Sequence, residues 1–175
     1  MVFKLTNNIK ISPQKTRNIL WIFATALIVF IDQLTKVLVD KNMQLHDEIK
    51  VLKGFFNLYY VRNKGAGLGL FANARWVFIS VTTVVIAVAI FLLFKNYFKN
   101  ILADISLTFI LAGGIGNMID RLFLGEVIDF FQFQIKYFDF IFNVADVFVT
   151  FGTIMFLIYY LFFYDKECEK NNNVQ

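Results

Sequence analysis

The chain has 175 residues, of which 58% are hydrophobic, 18% aromatic and 17% charged, with 23 phenylalanines, one proline and a formal charge of +4. Soluble domains run at roughly 45–50% apolar and about 25% charged, so a mean hydropathy of +0.63 excludes an ordinary soluble domain and calls for a non-aqueous solvent. Disorder and linker arrays are excluded by the same composition.

A bilayer-spanning helix needs about 20 mostly apolar residues, and four windows meet this: 19–39, 76–94, 101–119 and 140–163. The expected architecture is a single integral membrane domain over residues 1–175, all-α, with four transmembrane helices and a small extracytoplasmic β-cradle or loop region. Four spans put both termini on one side. Lys4, Lys10, Lys15 and Arg17 precede the first window as in a secretory signal peptide. That window is too long for a signal core, lacks a small-residue cleavage site and ends in the polar cluster Asp32-Gln-Leu-Thr-Lys36. Assigning the tails and the turn over 95–99 to the cytoplasm ties the Lys/Arg count between the two sides. The four cations ahead of the first span favour a cytoplasmic N-terminus.

The first outer loop, residues 49–62, is rich in β-branched and aromatic residues and leads into Gly65, Gly67 and Gly69, a pattern expected to form a short strand pair or cradle on the membrane surface. The glycines lack the Lys-Ser/Thr ending of a phosphate loop. Ala112, Gly113, Gly114 and Gly116 form a small-residue stretch on the third span, expected to pack closely against another helix.

Ionisable groups at membrane depth cost about 2.5–3.5 kcal/mol each on insertion scales and mark function or a satisfied polar network. Asp32 and Lys36 are four apart on one helical face, the acid first, as an ion pair prefers. Asn117, Asp120 and Arg121 share a face at the end of the third span; Asp120 and Arg121 suit either a helix cap or substrate positioning. Asn143 and Asp146 are three apart at the start of the fourth. Asp104 is expected to reach the interface, and His46, beside Asp47 and Glu48, to be a solvated surface histidine.

Among the acids at the outer end of the bundle, Asp129 and Asp146 differ from the rest in having no obvious countercharge, and both sit in apolar sequence: Val127, Ile128, Phe130 and Phe131 flank one, Val144, Ala145, Val147 and Phe148 the other. Desolvation penalises ionisation there. A pair of such acids brought together holds one shared proton: its carboxylate can activate water while its acid form polarises a carbonyl or protonates a leaving amine. Other hydrolytic chemistries lack parts. A single histidine excludes an HExxH zinc site. Ser80 and Ser106 lie within spans without a nucleophile-elbow sequence. The lone Cys168 stands between two glutamates, which disfavour its thiolate. With one cysteine, an intrachain disulfide and a two-cysteine metal site are excluded as well. The basic residues are spread over loops, so nucleic acid is not an expected partner.

Five blocks in order, Asp32-Gln-Leu-Thr-Lys36, Asn63-Lys-Gly65-Ala66, Gly116-Asn117-Met-Ile-Asp120-Arg121, Gly125-Glu-Val127-Ile-Asp129-Phe130 and Phe142-Asn143-Val-Ala145-Asp146, make the chain resemble bacterial lipoprotein signal peptidases (signal peptidase II) from about Trp21 to Tyr164. The resemblance implies an intramembrane aspartic endopeptidase. It would remove signal peptides from diacylglyceryl-modified prolipoproteins just before the lipidated cysteine, in the bacterial cytoplasmic (inner) membrane, with its active site near the outer leaflet. It implies catalytic roles for Asp129 and Asp146, and substrate-binding or dyad-supporting roles for Asn63, Asn117, Arg121 and Asn143. Asp32, Lys36 and Asp120 match the family's polar support positions. Expected partners are the prolipoprotein substrates, the lipid bilayer and globomycin-type inhibitors; no metal or organic cofactor is expected. Two positions depart from the family pattern, Gly67-Leu68 in the outer loop and Val147 where a small hydroxyl residue is common. A proton-coupled transporter built on the same buried acids and a non-catalytic packing protein are the alternatives, and the placement of the Asp129 and Asp146 carboxyls discriminates among them.

Overall fold

The computed structural model describes residues 12–65, 74–135 and 138–172. Helix α1 spans Pro13–Asn42. Ser12 caps its start by accepting from the Lys15 amide, and proline occupies the first turn, where no amide hydrogen is needed. Its 30 residues make it about 45 Å long, and its last turn reaches the sheet. Helices α2 (Arg75–Phe94), α3 (Ile101–Phe123) and α4 (Val144–Phe162) complete a set of four helices long and apolar enough to cross a membrane. A short polar helix α5 (Tyr164–Asn172) follows and carries Cys168.

Helix α3 is the centre of the bundle, with eleven buried residues. Its small residues explain how close its neighbours come. A Cβ at Gly113 would collide with the Ala145 carbonyl and the Val149 side chain of α4, and one at Gly116 would meet the Asp32 carboxylate of α1 at 2.5 Å. Gly114 faces α2 instead, with Thr82 at an ordinary 3.5 Å. The small-residue stretch thus serves three neighbours rather than one.

Between the spans lies one antiparallel sheet in the order β1-β2-β3-β4: β1 Glu48–Leu52, β2 Phe56–Asn63, β3 Val127–Ile135 and β4 Phe138–Phe142. The strand pair expected over 49–62 is present as β1 and β2, and the sheet is completed by β3 and β4, which the sequence reading did not foresee. The window 140–163 needs correcting at its start. Residues 140–142 belong to β4, where Phe142 pairs with Phe131 and Phe140 with Phe133, and the helix begins only after Asn143. Aromatic packing favours the strand: Phe142 lies 5.4 Å from Phe133 and 5.6 Å from Phe131. Tyr60, Ile128 and Phe130 form a small core against Val39 and Met43 at the end of α1, fixing the sheet over the bundle's end.

Asp104 also needs correcting: it is buried and paired with Arg17, which also donates to the Phe98 carbonyl at 3.1 Å. An aspartate stem is too short to reach out of the bundle, so a cation comes to it. His46 is exposed, as expected, beside the Tyr59 hydroxyl. Gly67, Leu68, Gly69 and the rest of residues 66–73 lie outside the described residues.

Candidate active site

Helix α4 starts at the site, and its capping builds the first half of it. The Asn143 side chain accepts from the Asp146 amide at 3.0 Å, and Asp146 Oδ2 accepts from the Asn143 amide at 3.2 Å. This reciprocal capping box satisfies two orphan donors of the helix and fixes the Asp146 carboxyl. Asn117 of α3 donates to its other oxygen at 2.7 Å.

Asp129 comes from β3, in register with Val61 of β2, and is 2% exposed. Asn63 donates to Oδ2 at 3.0 Å and Asn143 to Oδ1 at 2.6 Å. Asn143 therefore serves both acids, through its amide group to Asp129 and its backbone to Asp146. Burial first, and then the charge of Asp146, push the Asp129 carboxyl up to about 7, against the opposing hydrogen bonds from Asn63 and Asn143.

Behind this pair stands a buried ionic hub. Lys36 Nζ contacts Asp32 and Asp120 at 2.9 Å each and donates to Asn117 Oδ1 at 3.1 Å, which uses all three ammonium hydrogens. Asp32 accepts from the Ala145 amide at 2.9 Å, and Asp120 from the Ile128 amide at 3.2 Å. The hub thereby ties α1 and α3 to the backbone beside each member of the acid pair. It also orients an amide. Because Asn117 Oδ1 accepts from Lys36 and from Asn143, its nitrogen must face Asp146.

Both acids line a cleft of about 880 Å³. Its polar end is made by Asn63, Asn117, Arg121 and the two acids, its apolar walls by sheet and helix residues that include Phe56, Phe131, Phe142 and Phe151. The Arg121 guanidinium lies over the Phe78 ring at 5.0 Å and reaches the Asn117 and Gly65 carbonyls only at 3.4 and 3.5 Å, which leaves donors available toward the cleft. Arg121 therefore faces the site rather than capping α3, whose end is closed by the Leu124 amide on the Asp120 carbonyl. Among the described residues no group of three or more His, Cys, Asp and Glu is arranged to hold a metal ion.

All nine residues singled out in sequence thus fall in one connected network. Sequence reasoning missed Gln33, which donates to Asp32 at 3.1 Å, to Asp120 at 2.9 Å and to the Gly116 carbonyl at 3.2 Å. Its place inside the first polar block was the available signal. It also missed Asp40, Tyr60, Arg62 and Glu126, which meet beside Asn63.

Fold and site together define a multi-pass membrane protein with two acids, joined through Asn143, in a cleft at one end of its bundle. The family model described as signal peptidase (SPase) II matches residues 24–162, and the chain belongs to that family and is a peptidase. It is 39% identical over 149 residues to the lipoprotein signal peptidase of Clostridioides difficile strain 630, covering 85% of this chain and 99% of that one. It is 36% identical over 151 residues to that of Fusobacterium nucleatum, covering 86% and 91%. Among solved structures it resembles a bacterial membrane enzyme determined by the in meso method at 2.3 Å, with a TM-score of 0.75 and 32% identity over 81% of this chain and 87% of that one. A second such enzyme, at 1.9 Å, gives a TM-score of 0.72 with 29% identity over 82% and 93%.

Proposed function

We propose that Asp129 and Asp146 are the catalytic dyad of an intramembrane aspartic endopeptidase that removes signal peptides from diacylglyceryl-modified prolipoproteins, cutting before the lipidated cysteine. The observation that carries this reading is Asn143, whose side chain and backbone bond to both acids at the polar end of an otherwise apolar cleft. The pair keeps one proton near neutrality. Its ionised member takes a proton from water as the water attacks the scissile carbonyl, while its acid member protonates the carbonyl oxygen; the first carboxyl then passes the proton it took to the leaving amine, and collapse of the gem-diol returns a proton to the second. Asn63, Asn117 and Asn143 hold the carboxyls in place, Arg121 offers donors to the substrate backbone, and Asp32, Lys36 and Asp120 support the dyad from behind. Aromatic and aliphatic walls suit the acyl chains and the signal helix.

The chain acts as one integral domain of the bacterial cytoplasmic membrane, with cytoplasmic termini and the dyad near the outer leaflet. Globomycin-type cyclic peptides compete for the cleft, and nucleic acid has no part. The test is cleavage of a diacylglyceryl-modified lipobox peptide by the purified protein in bilayers. Asp129→Asn and Asp146→Asn are each expected to abolish turnover while the protein stays folded. Normal cleavage by either variant overturns the assignment, and proton-linked flux without cleavage by the intact protein favours a transporter.

A further inference from the structure

Four side chains that take no part in the proposed chemistry meet at the C-terminal end of β2. Arg62 Nε donates to the Tyr60 hydroxyl at 2.8 Å, Nη2 to Asp40 at 2.8 Å and Nη1 to Glu126 at 3.1 Å. The Tyr60 hydroxyl itself donates to Asp40. One guanidinium thus joins three pieces of chain: the last turn of α1 (Asp40), β2 (Tyr60 and Arg62) and the turn ahead of β3 (Glu126). The β2–β3 register shifts between Leu58 and Val61, and the Tyr60 ring packs in the small core against Val39 and Met43.

The residue after Arg62 is Asn63, the last of β2 and the donor to Asp129 Oδ2. Adjacent strand residues point to opposite faces, so anchoring Arg62 on one face fixes the strand's rotation about its own axis and with it the aim of its neighbour on the other. Resting on the dyad reading above, we propose that Arg62 is a positioning residue: its three-way clamp on Asp40, Tyr60 and Glu126 holds the Asn63 amide on Asp129. The planar fork matters here as well as the charge. A lysine ammonium is a point donor on a flexible stem and cannot span three acceptors in one plane.

The test is a double-mutant cycle on the full-length protein in phospholipid nanodiscs, with a diacylglyceryl-modified lipobox peptide as substrate. kcat and KM are measured from pH 5 to pH 9 for wild type, Arg62→Ala, Arg62→Lys, Asn63→Ala and the Arg62→Ala/Asn63→Ala double variant. Small misplacements at a reacting centre are costly, so Arg62→Ala is expected to lower kcat about tenfold with KM little changed. It should move the alkaline limb of the profile upward in the same direction as Asn63→Ala, because losing the Asn63 bond favours the protonated dyad. Arg62→Lys should restore less than half of the lost kcat. The double variant should be no worse than Asn63→Ala alone.

Losses that multiply in the double variant overturn the clamp and leave the dyad reading standing. An Arg62→Ala loss with the alkaline limb unmoved reports less folded enzyme and overturns it too, as does full rescue by lysine. An Asn63→Ala variant with wild-type kinetics removes the role of Asn63 at the dyad, and the clamp with it.

Discussion

The raised carboxyl of Asp129 should cost the fold stability near neutral pH, and that cost can be measured without any substrate. The sign follows from linkage. A carboxyl moved from its ordinary 3.8 to about 7 in the folded protein favours folding of the protonated form, and this contribution is lost as pH rises from about 4 through about 7. At about 1.4 kcal/mol per pH unit the full loss is about 4 kcal/mol. Asp129→Asn removes the titration but replaces an oxygen that accepts from Asn63 or Asn143 with an amide nitrogen, at a cost of about 1–3 kcal/mol. The variant should therefore be more stable than wild type by about 1–3 kcal/mol at pH 8 and less stable by about 1–3 kcal/mol at pH 3, below both values. For a chain of this length, at about 2–4 °C per kcal/mol, the difference at pH 8 corresponds to a Tm raised by about 2–12 °C. Thermal unfolding in nanodiscs across this range gives two curves that cross. Parallel curves, with one offset at every pH, would refute a raised carboxyl at Asp129.

Lys36→Met leaves Asp32 and Asp120 as neighbouring buried carboxylates without their cation, and should destabilise by about 3–5 kcal/mol. Adding Asp32→Asn or Asp120→Asn to that background should recover part of the loss in the same unfolding assay. Gly113→Val forces its side chain into the Ala145 carbonyl and Val149 and is expected to cost about 1–3 kcal/mol or more. Gly114→Ala, whose added carbon meets Thr82 at 3.5 Å, should be neutral or stabilising, because alanine favours helix over glycine by about 1 kcal/mol. Equal effects at the two glycines would contradict the close approach of α4 to α3.

The helices were legible because length and hydropathy dictate them, and the acids because a charge in an apolar window stands out. What stayed hidden was set by contacts between distant parts of the chain. β3 and β4 are nearly as apolar and aromatic as the span that follows, so 140–142 merged with it; only pairing with β3 separates them. Asn143 carried a readable sign in its spacing to Asp146, the two ends of a capping box, although its hold on Asp129 depends on where β3 lies. Arg62 and Asp40 looked like ordinary loop and helix-end charges, since nothing local brings them together.

The kind of residue that touches the acid pair follows from what the pair must do. Asn63, Asn117 and Asn143 supply its side-chain hydrogen bonds, and no lysine or arginine among the described residues forms a salt bridge with either acid. A cation in direct contact would hold both carboxyls ionised and leave no acid to protonate a leaving group. Lys36 stands one amide away instead. It grips Asn117 through the oxygen, so that a neutral N–H group meets Asp146. The buried charge thus fixes the direction of the hydrogen bond without neutralising the dyad, which is why the hub and the acid pair have to be read as one structure.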